Sequence, residues 1–288
     1  MFLLAQGNIK KVGKMIFVND YDNFRTIELE SVNLRFKIKS ESRLYDDTFW
    51  DKVESGTYEP DTLFTLKKYA NANTAFFDVG AAVGVMTLVA ASLGAKCISY
   101  EPVERWFNSL KKNIDCNPKV REQIVLKQSI VSNIYKSSVA LHDQVGLSIS
   151  SIVYPENFVE VSSVVDLKKE ILENCGVLNP VVKLDIEGAE YKLLKDKELL
   201  KILQKKSAIL ILAIHPGFFR PMSKRKKLLT LKLNKVVFIF RNYIDNYKLY
   251  KNLICFCTVK RSNDVEVLSA HKFCTMAAAG VYEYNLYF

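Results

Sequence analysis

The 288-residue sequence predicts a doubly wound α/β fold, a mostly parallel sheet with helices on both faces and an antiparallel end. Three observations carry that expectation. From residue 74 onward, short apolar runs alternate with helical stretches, which is the pattern of βαβ units. Those runs are continuous instead of alternating with polar residues, as strands covered on both faces must be. The last two, near 236–240 and 252–258, follow one another with no strong helical stretch between them, which predicts an antiparallel return.

Residues 1–60 are mixed and are expected to form a β-containing extension. NLRFKIKS (33–40) places Leu34, Phe36 and Ile38 on one face of a half-exposed strand. In YEPDTLFTLKKYA (58–70), Pro60 starts a helix and Leu63, Leu66 and Tyr69 follow at helical spacing. The α/β domain is expected over 61–288. TAFFDVG (74–80) reads as a strand and VGVMTLVAASLGA (83–95) as a helix closed by Gly94. KCISYEP (96–102) is a strand, VERWFNSLKKNID (103–115) an amphipathic helix, and QIVLKQSIV (123–131) a further strand. Residues 132–165 are less regular and suggest a hairpin with loops. DLKKEILENCG (166–176) is a helix ended by Gly176, followed by a strand at 181–186 and a helix from about 188. SAILILAIHP (207–216) is the most apolar strand, and Pro216 stops it.

Composition narrows the classes. At 49% hydrophobic, the chain buries a substantial core and is not disordered. Forty-one Lys and Arg against 31 Asp and Glu give +10 and a pI near 9.1, a surface suited to phosphate-bearing substrates, nucleic acid or lipid headgroups. A protein merely displaced from neutrality explains the balance equally well. The run SKRKK (223–227) is either a solvated helical face or an attractor for a phosphorylated or lipid-linked saccharide, or for RNA. No segment reaches the roughly 20 apolar residues of a membrane span. MFLLAQGNIKKVGK (1–14) has too short an apolar run for a signal peptide, and its charges follow that run. Cys97, Cys116, Cys175, Cys255, Cys257 and Cys274 form no C-x-x-C pair, so reduced packing thiols in a cytoplasmic protein are expected.

Parallel sheets of this kind bind ligands beyond the carboxyl ends of their strands. The first such end, FFDVGAAVG (76–84), places Asp78, Gly80 and Gly84 in a D-x-G-x-x-x-G turn ahead of a helix N-terminus. The next strand end carries Glu101, whose carboxylate can accept both hydroxyls of a ribose. Neither the phosphate-loop pattern nor G-x-G-x-x-G is present. Asp78 would repel a pyrophosphate but suits an amino group. S-Adenosylmethionine answers both ends, with an adenosine for Glu101 and a zwitterionic tail for Asp78, Gly80 and Gly84.

FFDVGAAVGVMTLVAASLGAKCISYEP (76–102), joined to VVKLDIEGAEYKLL (181–194), resembles the FkbM family of S-adenosylmethionine-dependent methyltransferases. The resemblance runs from GTYEP (56–60) to IHP (214–216). It implies a class I, Rossmann-like methyltransferase fold, a seven-stranded sheet, and O-methylation of hydroxyls on sugars, glycans and related natural products. The expected cofactor-binding residues are Glu59, Asp78, Gly80, Ala81, Gly84, Glu101, Ser129 and Asp185. Two positions depart from the family pattern: Ala82 stands where Asn is usual, and Ala213 where an acid is usual. Residues 1–50 and 217–288 carry no resemblance, so they are expected to choose the substrate.

The second quoted stretch ends a buried strand in three carboxylates around Gly188. Lys183 and Asp185 project to one side of that strand. A hydroxyl is a poor nucleophile unless its proton leaves during attack, and a positioned base contributes about 10²–10⁴-fold. Asp185 is the first candidate for that base, Glu187 the second, and His215, with an ordinary pKa of about 6.5, the third. Lys183 is expected to neutralise Asp185, Asp78 or Glu59 rather than react. Glu190 is expected to sit in a first helical turn, where negative charge is stabilising. Asp185 and Glu187 would suit Mg²⁺, but no third ligand is evident and no metal is expected. A nucleic-acid methyltransferase is the alternative that the charge permits, although acids at the fourth strand end would repel phosphates. A catalytically silent cofactor-binding scaffold is the alternative that Ala82 and Ala213 permit.

Overall fold

The computed structural model describes residues 24–29, 34–39, 47–133, 141–143, 150–151, 158–159, 163–186, 188–215, 228–261, 267–278 and 283–288. Glu187, Pro216, the basic run 223–227 and the first 23 residues lie outside this set.

An antiparallel hairpin, β1 (Phe24–Leu29) and β2 (Leu34–Lys39), precedes α1 (Asp47–Glu54) and α2 (Pro60–Tyr69). The alternating region follows: β3 (Thr74–Val79), α3 (Val85–Ser92), β4 (Lys96–Tyr100), α4 (Glu104–Asp115), the short α5 (Pro118–Arg121) and β5 (Ile124–Lys127). Then come the short β6 (Ile130–Val131), β7 (Leu141–Asp143), β8 (Ser150–Ser151), β9 (Phe158–Val159) and β10 (Val164–Val165). α6 (Leu167–Asn174), β11 (Asn179–Leu184), α7 (Glu190–Leu193), α8 (Lys197–Lys205) and β12 (Ile209–Ala213) continue the winding. The chain ends in α9 (Leu228–Leu253), β13 (Thr258–Lys260), α10 (Ala270–Ala278) and β14 (Glu283–Tyr287).

The central sheet has seven strands in the order β13-β14-β12-β11-β3-β4-β5. All its pairings are parallel except those of β14, which runs antiparallel to both β12 and β13. Strand order reverses between β3 and β11, so the switch point where such sheets bind ligands falls there. In that register Lys183 lies opposite Asp78.

The sequence explains this placement. β3 is buried along its whole length, and its alternating side chains feed two cores. Phe77 packs with Tyr100, Leu184, Leu203 and Phe273 on one face. Phe76 packs with Leu66, Leu88, Leu110 and Val181 on the other. Each buried aromatic or aliphatic side chain contributes about 1.5–3 kcal/mol. In α4, Trp106, Leu110 and Ile114 are buried at four-residue spacing, the stripe of a helix lying on a sheet. Ile27 of the hairpin and Trp50 and Val53 of α1 join this second core.

The antiparallel end is built from other residues than those expected. Residues 236–240 lie inside α9, not in a strand. Asn242, Asn246, Leu249, Tyr250 and Leu253 are all buried there, and this helical stripe outweighs the strand preference of a β-branched cluster. Residues 252–253 end that helix, and only Thr258–Lys260 form a strand. The antiparallel strand itself, β14, and the helix before it went unread. QIVLKQSIV also divides: β5 extends the main sheet while β6 pairs with β10. In the region 132–165, β8, β7 and β9 form a small antiparallel sheet. The six cysteines form no disulfide. Among the described residues no helix is long and apolar enough to cross a membrane.

Candidate active site

The turn after β3 is held onto the end of β4, because the Gly80 and Ala81 amides both donate to the Tyr100 carbonyl, at 3.0 and 3.1 Å. Gly80 has φ +89°, and a Cβ there would lie 1.9 Å from the Asp185 carbonyl oxygen. Its glycine is therefore required by the crossing of two strand ends. Gly84, at φ +88°, begins α3 beside Leu110; a Cβ there would meet Leu110 Cδ1 at 2.3 Å. Gly84 does not line the cavity, so its expected cofactor contact has no counterpart in the cavity wall.

Glu101 leaves the end of β4 almost fully buried. Its Oε2 accepts from the Ala82 amide and its Oε1 from the Val103 amide, both at 2.9 Å. Burial pushes its pKa up to about 7, against the pull of those two amides. Each oxygen keeps a lone pair that the amides do not use. Ala82, at φ +48°, contributes its backbone here, so the site does not depend on a side chain at that position.

Asp78 is also buried. Its Oδ2 accepts from Thr87 Oγ1 at 2.6 Å, while its Oδ1 has no hydrogen-bond partner among the described residues. Burial raises its pKa to about 6, with Lys183 and Thr87 opposing. Lys183 Nζ lies 3.0 Å from Asp185 Oδ2 and 3.4 Å from Glu59 Oε2. Burial works against its charge, but Asp185, Glu59 and Asp78 outweigh burial and keep the ammonium protonated. In turn burial would raise Asp185, yet Lys183 and His215 hold it below the usual carboxylate range.

A third group joins from just beyond the end of β12. His215 Nδ1 is 3.2 Å from Glu190 Oε1, and its Nε2 is 3.7 Å from Asp185 Oδ1. Glu190 does begin the short helix α7, but it is fully buried and its carboxylate turns back to accept from the Ile186 and Gly188 amides, at 2.9 and 2.8 Å. Asp185, Glu190 and His215 thus place carboxylate and imidazole atoms within 4.8 Å of one another. The positive charge beside Asp185 is supplied by Lys183, and both Glu190 oxygens are engaged by amides.

A cavity of about 230 Å³ opens over these strand ends. Glu59, Asp78, Gly80, Ala81, Glu101, Ser129, Lys183, Asp185 and His215 all line it. Its apolar walls, formed by Met86, Trp106, Ile130, Val131 and Ile186 with Tyr58 at one side, were not anticipated. Trp106 lies on the apolar stripe of α4, where the sequence signal is indistinguishable from that of core. Glu283 was missed as well. It lies opposite Ala213, and burial, then the neighbouring Glu59, push its pKa up to about 8 against Lys183.

A switch-point cavity, an anchored acid after β4 and an unpartnered acid oxygen near the end of β3 are what a class I methyltransferase site needs to receive S-adenosylmethionine. Residues 78–220 match the Methyltransferase FkbM domain. No curated protein matches the chain. Its fold is similar to that of a protein from Listeria monocytogenes described as an S-adenosylmethionine-dependent methyltransferase, with 15% identity and a TM-score of 0.30 over 55% of this chain and 57% of that one. It is also similar to an O-methyltransferase from Bacillus cereus solved in complex with SAH, with 10% identity and a TM-score of 0.36 over 80% of each chain. A methyltransferase from Agrobacterium tumefaciens shows 10% identity and a TM-score of 0.34 over 75% of this chain and 58% of that one. The chain therefore spans less than two thirds of the Listeria and Agrobacterium proteins.

Proposed function

We propose that the chain is an O-methyltransferase acting on a hydroxyl of a sugar, a glycan or a related natural product. The observation that carries this reading is the pairing, in one cavity, of the Asp78 and Glu101 carboxylates with the Asp185–His215 pair. Glu101 offers its two spare lone pairs to vicinal ribose hydroxyls, and the buried Asp78 Oδ1 offers an acceptor to an ammonium group. When bound, S-adenosylmethionine supplies a methyl group: the oxygen–methyl bond forms as the sulfur–methyl bond breaks and sulfur keeps the electron pair.

The chain's own residues handle position and proton. Asp185 is a weak base because Lys183 holds its Oδ2 and favours its ionised form. Its Oδ1 is better suited to orient an acceptor hydroxyl. His215 Nε2, 3.7 Å away, then takes the hydroxyl proton. Glu187, the other candidate, lies outside the described residues. Lys183 supports the reading as a buried counter-charge that keeps three acids compatible.

Glu59 and Asp185 place negative charge in the cavity wall, which favours a neutral hydroxyl acceptor over a nucleic-acid backbone. The net charge of +10 supports a phosphorylated or lipid-linked form of the saccharide, held outside that acidic centre. Six unbonded thiols fit a reducing, cytoplasmic setting. We take residues 1–60 as an extension and 61–288 as the catalytic domain. Incubation with methyl-labelled S-adenosylmethionine and a panel of cell-wall and capsular saccharides tests this function. Label should enter one class of glycan as an alkali-stable ether, and His215→Ala should reduce its entry by about 10²-fold or more. Labelling of RNA with no labelling of any glycan would overturn the reading.

A further inference from the structure

The positive charge of this chain is concentrated in one place. Between Pro216 and Ile254 the sequence holds ten Lys and Arg and one acid, Asp245, so this stretch carries nine of the ten net positive charges. The rest of the chain is close to neutral. Most of the stretch is α9, and from Ile239 onward its side chains show how the helix is divided. At about 100° per residue, Asn242, Asp245, Asn246, Leu249, Tyr250 and Leu253 fill one arc, and all six are buried. The outward arc has two halves. Phe240 and Tyr247 form an apolar strip with Ile254, just past the helix end, and Ile239 lies on one edge of it. Arg241, Lys248 and Lys251, all exposed, lie on the other edge. Exposed apolar side chains scattered singly are ordinary, but Phe240 at 64% exposed, Ile239 at 47%, Ile254 at 43% and Tyr247 at 42% share one side of one helix.

We infer that this face of α9 docks on the surface of an anionic phospholipid bilayer, with the apolar strip entering the acyl boundary and the basic edge meeting lipid phosphates. The inference goes beyond the proposed methyl transfer and does not depend on it. Charge selects the occupant. A second copy of the chain would bring together two helices of like charge, which repel. A nucleic-acid backbone would satisfy Arg241, Lys248 and Lys251 but leave the aliphatic Ile239 and Ile254 in water. Headgroups and acyl chains take up both halves of the face. Basic residues recur along the whole length of α9, which keeps it in the interface plane. The topology also sets where the bilayer would lie. β12 and β13 both pair antiparallel with β14, so they run the same way, and α9 returns from the cavity end of the sheet to the opposite end. Tyr191 of α7, beyond the carboxyl end of β11, donates its hydroxyl to Asn246 Oδ1. Ile239 and Phe240 lie about 10 Å nearer the start of the helix than Asn246, towards the end of the sheet where the cavity opens.

Vesicle partitioning of the full-length protein tests this. Vesicles of phosphatidylcholine with about one third phosphatidylglycerol should bind it at least about 10-fold more strongly than phosphatidylcholine alone, and the difference should shrink as added salt screens it. Phe240→Trp locates the contact, because the two native tryptophans, Trp50 and Trp106, are buried. Its emission should shift to the blue on anionic vesicles and be quenched by lipids brominated in the acyl chain. The double variant Ile239→Ser, Phe240→Ser should weaken partitioning by at least about 10-fold, with an unchanged melting temperature as the sign that its fold survives. Absence of binding to anionic vesicles, partitioning indifferent to lipid charge, or a Phe240→Trp emission unmoved by bound vesicles overturns the inference, whether or not the double variant folds. So does a blue shift that appears with rising protein concentration and no lipid, the mark of an interface between copies, or with single-stranded RNA and not with anionic vesicles. None of these readouts involves S-adenosylmethionine, so their failure is distinct from failure of the proposed function.

Discussion

At the residue scale, buried acids dominate the site, and each has a reason to be there. Asp78 and Glu101 are carboxylates whose pKa values rise on folding from ordinary values of 3.8 and 4.5 to about 6 and about 7. A raised folded-state pKa means stability that is complete below the unfolded value and lost as pH rises through the folded one. The unliganded protein should therefore lose stability between about pH 4 and pH 7, and Glu283 should extend the loss towards about pH 8. A cofactor that satisfies the ionised acids opposes the loss, so S-adenosylhomocysteine should protect more at pH 8 than at pH 5.5. Denaturant titrations at those two values check this, and equal protection at both would contradict it. Backbone conformation gives a second pair of outcomes. Gly80→Ala meets a carbonyl oxygen at 1.9 Å in a left-handed conformation, and should cost at least about 3 kcal/mol in the same titrations. Ala82→Asn should instead stabilise by about 0.5–1 kcal/mol, since Asn tolerates the left-handed φ of +48° better than Ala.

At the scale of elements, the parallel half of the sheet was legible because strands buried on both faces read as unbroken apolar runs. TAFFDV, KCISY and ILILA offer no competing pattern. The far end was not legible for a related reason. VVFIF carries strand-forming residues within a 26-residue helix, and the period of that helix shows in buried positions further along it, at Asn242, Asn246, Leu249 and Leu253. β14 did carry a period-two signal in Tyr284 and Leu286, but Asn285 between them is buried too and pairs with Thr65 across 220 residues. The cavity acids Asp78, Glu101 and Asp185 could be read from their strand ends. The Glu190–His215 contact could not, because nothing in a spacing of 25 residues indicates proximity. A cross-element contact outside the site provides a further test. Glu170 of α6 accepts from Tyr100 at 2.7 Å and Lys127 at 2.6 Å, joining the helix to β4 and β5. Glu170→Ala removes the acceptor of the buried Tyr100 hydroxyl while the partly exposed Lys127 keeps access to water, and should cost about 1–3 kcal/mol by chemical denaturation, and Glu170→Gln clearly less.

At the scale of the whole molecule, the sheet brings together residues that lie far apart in the chain: Glu59 from the N-terminus of α2, Lys183 and Asp185 from β11, and Glu283 from β14. The cavity lies at the switch point, where the order of the strands reverses. Its two ends are chemically distinct, with Glu101 beyond β4 and the Asp185–His215 pair beyond β11 and β12. The central claim is that Asp78 and Glu101 hold one S-adenosyl amino acid across that span. Calorimetric titration of S-adenosylhomocysteine into the wild type and Glu101→Ala tests it most directly. A single site with micromolar affinity in the wild type, weakened by at least about 100-fold in the variant, is the expected result. No heat from the wild type, or an affinity unchanged by Glu101→Ala, would contradict the account.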